Sequence, residues 1–191
     1  MALENLEFHP VTRERWRDLE ELFGEAGACD GCWCMYWRLT RSQFAREVGQ
    51  KNKEALRAIV ESGQVPGLLA YAHGAPIAWC SIGPRQTYSA LERSRILKRV
   101  DDEPVWSVVC FFVAEQFRRR GLMVPLLKAA VAYAREQGAK IVEGYPIEPT
   151  KTLTGYHGYT GVVSAFRKVG FVEVLRRSET RPIMRYFTGE Q

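Results

Sequence analysis

The sequence predicts an α/β fold built on a mixed sheet, and three observations predict it. Strand-like and helix-like patterns follow one another as β, α, α, β, β, α, β, α, β, α, β, β over 191 residues. Val105 to Val113 is a nearly unbroken apolar run rich in Val and Phe, which at that length reads as a strand buried on both faces. Leu122 to Gln137 then repeats apolar residues at helical spacing (Leu122, Leu126, Ala130, Tyr133) and stops at Gly138. The composition, 46% hydrophobic, 12% aromatic and 26% charged, is that of a folded chain rather than a disordered one. No repeat, low-complexity tract or proline-rich linker divides it, so one domain is expected over 1–191.

The elements follow in order. Leu3 to Phe8 reads as a first strand. Thr12 then caps a helix with Trp16, Leu19, Leu22 and Phe23 on one face, and Gly24 ends it. A second helix starts near Ser42 and buries Phe44, Val48, Leu56 and Ile59 before Gly63 and Pro66 stop it. Gly67 to Tyr71 and Pro76 to Ile82 flank His73-Gly74 and read as a hairpin. Leu91 to Val100 reads as a short helix.

Charge and cysteine usage narrow the setting. Lys plus Arg less Asp plus Glu is 27 − 22 = +5, which favours anionic ligands without singling out nucleic acid. No apolar run approaches the roughly 18 residues of a membrane span, and Met1 to Pro10 lacks the pattern of a secretory signal, so a cytoplasmic location is expected. Cys29, Cys32, Cys34, Cys80 and Cys110 are odd in number and lack the spacing of a disulfide scaffold, which fits a reducing compartment.

Between the buried strand and the helix lies Ala114 to Gly121, with Arg118, Arg119, Arg120 and Gly121 directly before the helix. The first amides of a helix are unpaired and its dipole is positive there, so this junction reads as an anion site. An arginine triplet at a helix start is also ordinary solvated charge, and the physics alone leaves both readings open.

The stretch Val113-Ala-Glu-Gln-Phe-Arg118-Arg-Arg-Gly121-Leu-Met123, followed by Leu126-Leu127-Lys128-Ala129-Ala130, resembles the acetyl-CoA signature of the GNAT N-acetyltransferase superfamily. The order of elements extends the resemblance: Lys140 to Tyr145 is similar to the strand after the signature helix. Ser164 to Phe171 is similar to the family's late helix with its Gly-Phe exit, and Pro182 to Phe187 to its last strand. The resemblance implies a GNAT-like acyl-CoA N-acyltransferase fold, a twisted mixed sheet flanked by helices with two central strands splayed apart. It implies acetyl-CoA as co-substrate in the opening. By position, the resemblance further implies that the backbone of Phe111 and Val113, with Phe112 between them, pairs with its pantetheine amides and that Arg118, Arg119, Arg120, Gly121, Leu122 and Met123 wrap its diphosphate. Two positions depart from the pattern. Met123 stands where the family usually has Gly or Ala, and Pro125 lacks an amide hydrogen, which only the first turn of a helix tolerates.

The chemistry implied is direct attack of a primary amine on a thioester. An amine with a pKa of about 10.4 needs a base or a water relay at neutral pH. Glu143 and Glu148 are the carboxylates the sequence places best, with ordinary surface charge as the competing reading of each. Phe166 occupies the late-helix position where the family often has a proton-donating tyrosine, leaving Tyr159, Tyr156, water or unassisted thiolate departure. A tyrosine restored at 166 is expected to leave the fold intact.

Cys29 to Arg38 and the segment Ile147 to Thr160 are expected to border the acceptor, through Trp33, Tyr36, Trp37, Tyr156 and His157. Local aromatic packing competes with that reading. Three cysteines at C-x-x-C-x-C spacing raise zinc, but no nearby His supplies a fourth ligand, and no metal is expected. The expected partner is a small-molecule or peptide amine, without nucleic acid or membrane, and a homodimer is left open. The competing functions are a catalytically silent acyl-CoA-binding sensor and a nucleic-acid-binding module, the latter lacking any recognised motif.

Overall fold

The computed structural model describes residues 5–149 and 158–189. Seven strands form one sheet in the order β1-β2-β3-β4-β5-β7-β6. β1 is Leu6–Pro10, β2 Gly67–Ala72, β3 Ala75–Pro84, β4 Trp106–Val113, β5 Ile141–Gly144, β6 Val172–Arg176 and β7 Pro182–Phe187. The helices are α1 (Trp16–Phe23), α2 (Arg41–Glu47), α3 (Gln50–Glu61), α4 (Ser89–Glu92), α5 (Met123–Glu136) and α6 (Val163–Val169). Every strand contact is antiparallel except β4 with β5, so the sheet is mixed as expected.

The period-two alternation of β2 decides which helices cover which face. Leu68, Ala70 and Ala72 join the core under α5 and α6, with Leu126, Leu127, Ala130 and Phe166. Leu69 and Tyr71 point the other way and join Trp16, Leu19, Leu56, Val60 and Trp79 under α1 and α3. Burying a side chain such as Leu126 contributes about 2 kcal/mol, and the two covered faces explain why β2 and the middle of β3 read as continuous apolar runs.

His73 (φ 52°) and Gly74 (φ 78°) both take the left-handed conformation that a two-residue hairpin turn requires. Gly170 (φ 107°) ends α6 in the same way. The single helix expected from Ser42 to Ile59 is two. Val48 has an extended ψ of 139° and Gly49 a φ of 85°, which breaks the chain between α2 and α3. α2 starts on a capping box formed by Thr40 and Gln43. The helix expected over Leu91 to Val100 shrinks to α4, because Leu91 and Leu97 are buried by turns rather than by a regular helical face. Thr12 makes no side-chain cap, and a short 3-10 turn, Arg13–Arg15, leads into α1 instead. Among the described residues no helix is long and apolar enough to cross a membrane.

Candidate functional site

β4 pairs with β3 as far as Val113, but with β5 only over Trp106 to Val108. The two parallel strands therefore separate halfway along β4. Register places Trp79 opposite Phe112, and Ala114 donates its amide to the Ile77 carbonyl at 3.0 Å. That alternation turns the polar backbone of Phe111 and Val113 away from β3, toward the opening. The Phe111 amide donates to the Tyr159 carbonyl at 2.6 Å, and Arg118 Nε donates to the Val113 carbonyl at 3.0 Å.

At the wide end of the opening the chain turns into α5. Arg119 (φ 60°) and Gly121 (φ 78°) are left-handed, and a short turn over Glu115–Phe117 precedes them. Among the described residues the amides of Arg119, Arg120, Gly121, Leu122 and Met123 donate to no backbone carbonyl. Among the described residues these five successive amides without a backbone acceptor, at the start of a 14-residue helix, form a concavity whose donors and helix dipole suit an anion. A Cβ on Gly121 would meet nothing within 4 Å, so the loop is open to a ligand. Pro125 falls in the first turn of α5, where its missing amide breaks no bond.

The narrow end opens into a cavity of about 750 Å³ between the loop from Ala28 to Trp37, α2, the end of β4 and the chain before β7. Tyr36, Trp37, Phe44, Phe111, Phe112 and Tyr159 supply aromatic wall, and among the described residues Asp30 and Arg181 are its charged members. The loop is held from below. Trp33 stacks on Trp16 at 6.1 Å and meets Phe23 edge-on at 5.4 Å, and a Cβ on Gly27 would lie 2.3 Å from its indole nitrogen. Trp33 thus belongs to the core under the loop and does not line the cavity, whereas Tyr36 and Trp37 do, their rings 5.1 Å apart. Tyr156 and His157 lie outside the described residues.

Cys29, Cys32, Cys34 and Cys110 also face the cavity. Burial pushes the Cys32 thiol up to about 12, and the Cys110 thiol beside it, together with burial, raises Cys34 well above its ordinary value. These are neutral thiols at physiological pH, and Cys34 accepts a hydrogen bond from Trp79 Nε1 at 3.0 Å. Among the described residues no three His, Cys, Asp or Glu side chains are grouped to hold a metal ion.

The carboxylates singled out from sequence stand apart from the cavity. Glu143 is 1% exposed, with Arg85 Nη1 at 2.9 Å on one oxygen and Arg185 Nε at 2.8 Å on the other. The Tyr145 hydroxyl donates to it at 2.7 Å. Glu148 is paired with Arg176 at 2.7 Å on the surface. Tyr159 does line the cavity, and burial raises its phenol pKa, so it carries its proton at neutral pH. Phe166 is fully buried, and its Cε1 lies 2.1 Å from where a Cβ on Gly144 would be. A tyrosine hydroxyl there would enter an apolar core, a cost in stability set against the expectation that the fold stays intact. Asp30 and Arg181 were missed from sequence. Asp30 lies inside the cysteine-rich segment, where thiol spacing is the stronger signal, and Arg181 is one of 27 Lys and Arg residues with no motif around it.

A mixed sheet that opens beside one strand, with an amide-rich helix start at the opening, defines an α/β protein whose helix N-terminus is built to suit an anionic group. The acetyltransferase (GNAT) family model matches residues 32–149, and the chain belongs to that family. Solved structures agree in fold. A GNAT-family acetyltransferase from Streptococcus agalactiae is 14% identical, with 100% of this chain and 99% of that one covered at a TM-score of 0.55. The PaiA N-acetyltransferase of Thermoplasma acidophilum, in complex with coenzyme A, is 14% identical over 96% of this chain and 99% of that one, at a TM-score of 0.53. The Salmonella typhimurium protein YncA, solved with its cofactor acetyl-CoA, is 14% identical over 97% of this chain and 95% of that one, at a TM-score of 0.52. No curated protein matches the chain.

Proposed function

We propose that the chain is an acetyl-CoA-dependent N-acetyltransferase that transfers the acetyl group to a primary amine by direct attack. The observation that carries this reading is the run of unpaired amides from Arg119 to Met123 at the wide end of the opening beside β4. The residues present fit the co-substrate. Those amides, with Arg118, Arg119 and Arg120 around them, hold a diphosphate, and the backbone of Phe111 and Val113 faces the path from there to the cavity, past Phe112. Acetyl-CoA, when bound, supplies an activated acetyl thioester.

The chain's own groups do the rest. Phe111, Phe112 and Trp37 exclude water from the reacting end, which strengthens every polar contact there. The Tyr159 phenol holds the proton that a departing thiolate needs. Asp30 is the carboxylate on the cavity and accepts the proton of the incoming ammonium, while Glu143 has both oxygens occupied by guanidinium groups. Calorimetry with acetyl-CoA on the wild type and on Gly121→Glu tests the placement. The charge introduced into the loop should weaken binding at least about tenfold, near 1.4 kcal/mol. Unchanged affinity in a folded variant rejects it.

A second reading, a silent acyl-CoA sensor, rests on Phe166, which stands where the family often has a proton-donating tyrosine. The Phe111 amide and the Val113 carbonyl already have partners in Tyr159 and Arg118, so an entering pantetheine arm exchanges bonds rather than filling vacant ones. Free thiol released from acetyl-CoA in proportion to added amine rejects the sensor.

A further inference from the structure

Arg181 stands immediately before β7 and faces the aromatic cavity beside Tyr159 and Tyr36. Its side chain meets neutral hydroxyls: Nη1 donates to Thr160 Oγ1 at a long 3.3 Å, and the guanidinium also bonds the Tyr159 phenol. Among the described residues no carboxylate lies within ion-pair distance of it. Other arginines in the same part of the sheet are committed. Arg176 meets Glu148 at 2.7 Å, Arg85 meets Glu143 at 2.9 Å, and Arg185 meets Asp101 at 2.6 Å. Burial pushes the Arg181 pKa below its ordinary value, the mark of a cation that has lost water without gaining a counter-ion.

We propose that Arg181 holds the carboxylate of the acceptor, and that the acceptor is an amino acid with an aromatic or large apolar side chain. The inference rests on the N-acetyltransferase reading and names its substrate class. A guanidinium presents paired donors that match a carboxylate, and in a partly desolvated site that contact discriminates strongly. The aromatic wall from Trp37, Phe44 and Phe112 takes an apolar side chain, and about 750 Å³ exceeds what a small alkylamine fills. An amino acid supplies in one molecule the three features the cavity asks for: an amine for the thioester, an anion for Arg181 and an apolar body for the wall.

Two measurements test this. In calorimetry without acetyl-CoA, 3-phenylpropionate should bind the wild type at least about tenfold more tightly than 3-phenylpropanamide. Arg181→Gln should erase that preference, and Arg181→Lys should keep part of it. In turnover with acetyl-CoA, L-phenylalanine should exceed 2-phenylethylamine at least about tenfold in kcat/KM, carried by KM, and Arg181→Gln should bring the ratio close to one. Equal binding of acid and amide by the wild type, or a preference that survives Arg181→Gln, overturns the assignment. Acetylation of 2-phenylethylamine as efficient as that of L-phenylalanine overturns the substrate class and leaves the transferase reading standing. Carboxylate preference in binding with no amine acetylated keeps Arg181 as an anion site and rejects the transferase reading together with the amino-acid acceptor.

Discussion

Arg185 and Arg181 lie four residues apart in sequence and have opposite surroundings. Arg185 reaches Glu143 with Nε and Asp101 with both terminal nitrogens, at 2.6 to 2.9 Å, within a cluster that also ties in Arg85 and Tyr145. Arg181 faces an aromatic cavity and, among the described residues, meets hydroxyls of Thr160 and Tyr159 but no carboxylate. The difference separates charge that holds the sheet together from charge directed at a ligand. Glu143 joins β5 to β7 and, through Arg85, to the end of β3, which is why a carboxylate on the strand after the signature helix is occupied before any substrate arrives.

The largest effect should come from breaking the paired region. Glu143→Ala leaves two buried guanidinium groups without their shared anion and should cost about 3 to 5 kcal/mol in urea unfolding. A variant of wild-type stability that has lost turnover would instead make Glu143 a proton acceptor. Phe166→Tyr buries an unpartnered hydroxyl against Gly144 and should cost about 1 to 3 kcal/mol in the same assay, with no gain in turnover.

On the cavity side, Tyr159→Phe should lower kcat about tenfold while the affinity for acetyl-CoA holds, since the Tyr159 carbonyl that meets Phe111 belongs to the main chain. Because burial raises this phenol, its proton is retained past the ordinary value of about 10, so the basic limb of the wild-type kcat profile should lie above that pH. A basic limb unchanged by Tyr159→Phe would remove the residue from proton transfer. The smallest effect concerns Asp101, whose carboxyl Arg185 holds below the usual carboxylate range. Its contribution is complete above about pH 3.9 and is lost as pH falls through the lowered folded-state value. Asp101→Asn should therefore lower the melting temperature modestly at pH 7, and the gap should close toward pH 2.

Much of the fold was legible in the sequence because its signals are local. The Val105 to Val113 run, the His73-Gly74 turn and the helical spacing after Leu122 each state a backbone preference within a few residues, and β4, the hairpin and α5 follow them. The unpaired amides before α5 were legible for the same reason, since amides without a backbone acceptor at a helix start are a property of the helix itself. The break at Val48 and Gly49 was a local signal overlooked, because the apolar spacing runs on across it.

The acceptor side was decided by tertiary structure. Trp33 and Trp37 are alike in sequence and both buried, but Trp33 stacks on Trp16 of α1 under the loop, whereas Trp37 packs with Tyr88 and Leu91 and also lines the cavity, a choice set by which element closes on each. Glu143 was a candidate base until Arg85, 58 residues earlier, and Arg185, 42 residues later, closed on it. Arg181 carried no motif, and its significance lies in the carboxylate that no neighbouring strand supplies. Local sequence determines which backbone groups a segment leaves unpaired. Whether a side-chain charge is spent inside the protein or kept for a ligand depends on partners that only the closed sheet brings within 3 Å.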